Sequence, residues 1–203
     1  PYVAGVTLGK DNELKLTGTR GEMKLETGVN WMPLGYSPTA DIPSSPVVFA
    51  GYGISSSELK YDDYAGLDVK DKIVLIFDNT PDAGNPHSEF GRFSIHIKAS
   101  IAKDKGARGI ILIAEEPEFK NDRLSVLSYD RTLGETAVPV AGIGRAQAEQ
   151  LLALDDKGLA ALEALVAART SGTSYPLTQP SALANASAQM KIALTKKQAD
   201  AFN

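Results

Sequence analysis

The sequence predicts a mixed α/β (α+β) fold in which strands outnumber helices, and three observations carry that expectation. Residues 73–77 and 110–113 are continuous apolar runs rich in β-branched side chains, the pattern of strands covered on both faces. Around them, apolar residues recur at helical spacing over two or three segments. Near both ends of the chain, apolar and polar residues alternate as in half-buried strands.

In chain order, Leu14 and Leu16 alternate with Glu13, Lys15 and Thr17, and Asp11–Asn12 offers a turn ahead of them, so a hairpin is expected there. Met23 and Leu25 alternate with Lys24 and Glu26 in the same way. Pro33, Pro38, Pro43 and Pro46 follow closely and predict an extended connection with little regular structure. Residues 47–50 form a short apolar run ending at Gly51. After the 73–77 strand, Phe93, Ile97 and Ile101 mark one helix stripe, with Gly106 as its stop. Gly109 leads into the second buried strand, and residues 138–143 form a third, ended by Gly144. A helix is expected from about 145 to 154, with Ala148, Leu151 and Leu152 on one face. Asp155 and Asp156 can cap a further helix near 159–169 with Leu159, Leu162, Leu165 and Val166 as its stripe. Residues 170–186 read as a linker or long loop. Met190, Ile192 and Leu194 then alternate with Lys191, Ala193 and Thr195 as a half-buried strand. The expected organisation is flanking strands and a proline-rich connection over 1–43, a core over 44–155, and a helix, linker and returning strand over 156–203. The flanking strands are expected to pair with each other or with a larger body.

Composition narrows the function classes. The 203 residues are 43% hydrophobic and 23% charged, which excludes wholesale disorder and fibrous repeats. No apolar run reaches the length of a membrane-spanning helix. Net charge is −4 without a basic stripe, which argues against a nucleic-acid partner. Cysteine is absent, so disulfides, thiolate zinc sites, iron–sulfur clusters and cysteine nucleophiles are excluded within these residues. The chain begins at Pro1 with no charged-then-apolar leader and is expected to be a processed product or an excised piece.

Residue chemistry singles out no catalytic, cofactor-binding or metal-binding residue. The HExxH pattern is missing, and neither His87 nor His96 is followed two positions on by aspartate; both are read as loop and helix surface. No G-x-S-x-G elbow is present, and a serine triad would need one of those same histidines. Gly142 and Gly144 precede a helix as a dinucleotide turn would, but Gln147 stands where a third glycine belongs; Ser56 does the same after Gly51 and Gly53. Both pairs are read as tight turns. Asp62, Asp63, Asp68, Asp71 and the run Glu115, Glu116, Glu118 are read as turn residues and solvated faces.

One set of segments is far more specific than its physics. Val47-Val-Phe-Ala-Gly-Tyr-Gly-Ile54, Tyr61-Asp-Asp-Tyr-Ala-Gly-Leu-Asp-Val69, Lys72-Ile-Val-Leu-Ile76, Lys98-Ala99, Lys105-Gly-Ala-Arg-Gly-Ile-Ile-Leu-Ile113 and Val138-Pro-Val-Ala-Gly-Ile143 together resemble the protease-associated (PA) domain. The Tyr-Asp-Asp-Tyr-Ala-Gly version is similar to the PA domain inserted in zinc aminopeptidases of the co-catalytic two-metal type (peptidase family M-twenty-eight). The resemblance covers about residues 44–154. It implies a PA fold, with sandwich or open barrel-like sheets flanked by a few helices. It also implies a non-catalytic insert of a secreted or periplasmic bacterial enzyme, acting as a lid or as a substrate-access and specificity element. In such enzymes two zinc ions are held outside the insert, so no cofactor is expected in this chain. The implied partners are the catalytic domain of the same polypeptide and a peptide substrate.

Within the insert, loops are the expected contact surface. The candidates are His87, Phe90 and Arg92 in the 79–92 loop, and Tyr129 and Arg131 in the 115–131 loop, with Arg92 or Arg131 suited to a substrate carboxylate. A stand-alone module that binds peptide or protein remains the main alternative. An independent hydrolase using His87 or His96, and a nucleotide site at Gly142 and Gly144, are weaker ones.

Overall fold

The computed structural model describes residues 2–129, 134–169, 172 and 177–199. The strands are β1 (Tyr2–Leu8), β2 (Glu13–Gly18), β3 (Gly21–Glu22), β4 (Trp31–Pro33), β5 (Ala40–Phe49), β6 (Ser55–Ser56), β7 (Tyr61–Asp62), β8 (Ile73–Phe77), β9 (Gly109–Ile113), β10 (Val140–Ile143), β11 (Ser187–Ile192) and β12 (Leu194–Ala199). Three α-helices accompany them: α1 (Ile95–Asp104), α2 (Arg145–Leu152) and α3 (Asp156–Ala167). Short 3-10 turns cover Glu89–Arg92, Phe119–Asn121, Arg123–Ser125 and Ser181–Asn185. Strands therefore outnumber helices among the described residues, as expected.

The main sheet has the order β3-β2-β11-β5-β8-β9-β10-β4. Its central members β5, β8, β9 and β10 are parallel, and the outer pairings are antiparallel. The long strand β5 joins the two halves: residues 40–46 pair with β11, and residues 47–49 pair with β8. Where β11 has left, the Gln179 side chain takes over that edge. Its amide nitrogen donates to the Phe49 carbonyl at 2.7 Å, and its oxygen accepts from the Phe49 N–H at 2.9 Å.

Both faces of the parallel half are covered. Ile73, Leu75, Phe77, Ile111, Ile113 and Ile143 join one core with Leu16, Met190, Leu151, Leu159 and Val166. Val74, Ile76, Ile110, Leu112 and Val140 join a second core with Ala99, Ala102 and Leu124. Successive residues of a strand point to opposite faces, so a strand buried on both sides has to be apolar without interruption. That is why these three strands were legible as continuous runs.

Several expectations need correction. Asp11–Asn12 makes no hairpin: β1 pairs with β12, while β2 pairs with β3 and β11. Asn12 instead donates to the Gly9 and Ala193 carbonyls and accepts from the Ala193 N–H, tying the crossover to the β11–β12 junction. The proline-rich stretch is not irregular, since it contains β4 and β5. Pro33 lies on the last strand of the sheet, and Pro43 falls where the β5–β11 register shifts, both positions that tolerate a missing donor. Helix α1 buries Lys98, Ala99 and Ala102, and of the expected stripe Phe93 is buried and Ile101 packs partly buried against both cores, whereas Ile97 turns outward. Ile97 is 42% exposed, and Phe93 precedes the helix. The two alanines let α1 approach the sheet closely, and a count of large apolar residues does not register them. In α3, Leu159 and Val166 are buried as expected, but Leu165 is exposed.

Other local readings hold. Asp155 caps α3, accepting from the Gly158 N–H at 2.7 Å. Gly106 adopts φ +90° directly after α1. Ala148, Leu151 and Leu152 are the buried face of α2. The expected 170–186 linker or long loop differs in its described part: residues 177–186 are a packed segment with a 3-10 turn and with Leu177, Ala182, Leu183 and Ala186 buried, while residues 170–171 and 173–176 lie outside the described residues.

Candidate functional site

Two buried charge clusters sit beneath the candidate loops. The first is built around Asp63, which is fully buried. Its Oδ2 accepts from the Tyr52 and Ile54 N–H groups at 3.0 and 3.1 Å, and its Oδ1 accepts from the Tyr61 hydroxyl at 3.0 Å and Arg169 Nη1 at 2.6 Å. Arg169 comes from beyond α3, donates a second bond to the Asp62 carbonyl, and lies over the Tyr61 ring at 5.1 Å. This arrangement needs Gly51 and Gly53, which take φ +52° and +70°. A side chain at Gly51 would also meet Asp63 Oδ1 at 2.7 Å. Burial pushes the Asp63 carboxyl up to about 6, against the donors that pull it down.

The second cluster lies at the exit of β8. Asp78 is the first residue after that strand, and its Oδ1 accepts from Arg123 Nη2 at 2.6 Å. Lys98, buried on α1, donates to the Asp78 and Asn79 carbonyls at 3.0 and 2.6 Å and lies 5.9 Å from the Tyr52 ring centre. Burial holds the Lys98 ammonium down to about 8, and pushes the Asp78 carboxyl up. An unfolded lysine keeps its proton to about pH 10.4. Between these values the unfolded chain binds more protons than the folded one, so this site's contribution to stability rises with pH. The stability difference between the native protein and Lys98→Met should therefore move in favour of the native protein from pH 8 to pH 10, by at most about 1.4 kcal/mol per unit. Urea titrations of both proteins across that range check this, and a flat difference would contradict it.

The 79–92 loop frames a cleft of about 320 Å³ lined by Pro81, Asp82, Asn85, His87, Glu89, Phe90, Ala167 and Arg169. The structure thus brings together His87 and Phe90 of the candidate residues. His87 is exposed, while Phe90 is buried edge-on to Tyr61 with ring centres 4.9 Å apart. Ser88 caps the 3-10 turn through the Phe90 N–H and donates to Asp82, which stiffens the loop. Arg92 points elsewhere, pairing with Glu58 at 2.6 Å and covering the Phe93 ring at 5.3 Å. Tyr129 is half-buried and does not line this cleft; Arg131 lies outside the described residues. His96 is not simply helix surface: its ring stacks at a tilt on Tyr36 with centres 4.8 Å apart, and Nε2 is 3.2 Å from the Gly134 carbonyl.

A second cleft of about 500 Å³, between α2 and α3, is lined by Glu115, Glu149, Asp156 and Glu163 around Arg145. Arg145 pairs with Glu163 at 2.7 Å. Among the described residues, no group of three His, Cys, Asp or Glu side chains is placed to hold a metal ion. Gly142 and Gly144 serve packing: a side chain at Gly142 would meet Leu124 Cβ at 2.8 Å, and Gly144 caps α2.

Sequence reasoning missed the buried charges. Asp68 and Asp71 are exposed as expected, but Asp63, Asp78, Asp122, Lys98 and Arg169 are buried. Asp63 carried a signal through its place between Tyr61 and Tyr64, and Lys98 through the Lys98–Ala99 segment of the resemblance; Asp78, Asp122 and Arg169 carried none. Asp122 accepts from the Glu115, Glu116 and Leu124 N–H groups at 2.8, 3.0 and 2.7 Å, and so shapes the turn after β9.

No curated protein matches the sequence. Among solved structures, the zinc aminopeptidase BSAP from Bacillus subtilis is similar at 16% identity and TM-score 0.45, over 95% of this chain and 32% of that one. The subtilisin-like protease Apa1 from the Antarctic psychrotroph Pseudoalteromonas sp. AS-11 is similar at 15% identity and TM-score 0.43, over 97% of this chain and 38% of that one. The chain spans about a third of the length of these proteins. The family described as PA domain matches residues 41–151, which run from the middle strand that joins the two half-sheets to the helix after the last parallel strand. With more than half of its residues inside that match, the chain belongs to the PA domain family.

Proposed function

We propose that the chain is the non-catalytic PA insert of a secreted or periplasmic zinc aminopeptidase, where it shapes substrate access to a metal site carried elsewhere in the polypeptide. The observation that carries this reading is the PA match over 41–151, flanked by segments that pair across the fold: β2 with β11, and β1 with β12. Such pairing sets incoming and outgoing chain side by side, which suits a module carried within a host domain. The Tyr61–Gly66 motif supports the aminopeptidase host. The zinc ions of such a host do not fit the described residues, so no catalytic step is assigned to this chain.

The proposed contact surface is the 79–92 loop with His87 and Arg92, held in place by buried Phe90, together with the 115–131 loop carrying Tyr129 and Arg131. Arg92 would meet a substrate carboxylate by exchanging it for Glu58. The test uses the full parent enzyme with His87→Ala and Arg92→Ala, leaving Phe90 in place so that the core stays packed. KM for peptides should rise by about 3- to 10-fold, the loss of one or two polar contacts, while turnover of a single-residue chromogenic substrate stays unchanged. Unaltered peptide preference in both variants would overturn the reading. The parent gene beyond the Asn203 codon should also encode a His-x-Asp motif. A stop codon there, with peptide binding by the chain itself, would support the stand-alone module instead.

A further inference from the structure

We propose that Asp78 is a latch joining the 79–92 and 115–125 loops into one mechanical unit, so that a displacement of either is transmitted to the other. The inference rests on the reading above only in taking these loops as the contact surface; the coupling itself is a property of this chain.

Each loop is stiffened separately. In the first, Ser88 donates to Asp82 and caps the turn that seats Phe90 on Tyr61. In the second, the buried Asp122 carboxylate gathers the N–H groups of Glu115, Glu116 and Leu124. A segment held together internally moves as a body. The two bodies meet at Asp78. Its carbonyl and that of Asn79, the start of the first loop, are held by Lys98. Its Oδ1 is held by Arg123, which stands next to Asp122 in the second loop.

The pair has the asymmetry of a latch. The Asp78 side chain is 1% exposed, whereas that of Arg123 is 60% exposed. Arg123 thus reaches inward from the solvent side and can leave without unfolding the sheet. The carboxylate it leaves cannot follow it into water, and Asp78 Oδ2 already has no hydrogen-bond partner among the described residues. An open latch therefore leaves the buried carboxylate without its hydrogen-bonded partner, with only the nearby Lys98 ammonium, which donates to the backbone carbonyls instead, as counter-charge; reclosing both loops together restores the lost contact.

Hydrogen exchange on the 203-residue chain tests this with Arg123→Gln, Asp78→Asn, the double variant and Arg123→Lys. Arg123→Gln should speed exchange by about tenfold in both 79–92 and 114–125, with β8, β9 and β10 unchanged. The double variant should be no worse than either single one, and Arg123→Lys should restore part of the protection. Faster exchange confined to 114–125, or a uniform rise that includes the sheet, would overturn the latch. If Asp78→Asn does not fold, the surface variant Arg123→Gln alone decides. Failure here leaves the peptide-preference test of the parent enzyme untouched, and the converse holds too.

Discussion

Arg169→Met should lower the unfolding free energy by about 3–5 kcal/mol, the cost of leaving one member of a buried ion pair without its partner. Arg169 and Asp63 side chains are 1% and 0% exposed, with 2.6 Å between Nη1 and Oδ1. Without the guanidinium, Asp63 keeps the Tyr52 and Ile54 N–H groups and the Tyr61 hydroxyl but has lost its counter-charge. The Tyr61 ring also loses the cation above it. Adding Asp63→Asn should recover part of the loss, because the remaining buried group is then neutral and the two effects are coupled. Urea unfolding of the single and double variants measures this. A loss below about 1 kcal/mol for Arg169→Met would show that the pair matters no more than a surface contact.

Asp122→Ala should cost about 2–4 kcal/mol, since one carboxylate serves three N–H donors and orphaned donors are expensive where water cannot replace the acceptor. Glu115 and Glu116 are exposed and their N–H groups can be rehydrated, whereas Leu124 is buried, so the cost falls short of three full bonds. Asp122→Asn retains an acceptor and should lose less. Thermal unfolding of the two variants, converted to free energy, checks the ranking. Equal stability of Asp122→Ala and the native protein would remove the proposed role of this residue in shaping the turn.

Much of this protein was determined by the sequence on its own. Strands β8, β9 and β10 were legible because burial on both faces demands unbroken apolar runs. The Asp155 cap and the stop at Gly106 were legible because each depends on a neighbour only a few residues away. The family was legible because its segments recur in order along the chain.

What only the tertiary structure decided is everything that depends on a distant partner. Alternation around Leu14 and Leu16 promised a half-buried strand, and the flanking strands were expected to pair with each other or with a larger body; only the structure decided that β11 is the partner of β2 and that Thr7 of β1 lies opposite Thr195 of β12. Prolines 43 and 46 were compatible with a strand only once the sheet supplied a shifted register and a free side. The face of α1 followed from which side chains let it approach β9, which set Ala99 and Ala102 against the core and left Ile97 outside. An aspartate in sequence looks the same whether it will be solvated or buried. Asp63 became a core residue because Arg169 arrives from 106 positions away to neutralise it, and the burial of a charge is decided by its partner rather than by its own chemistry.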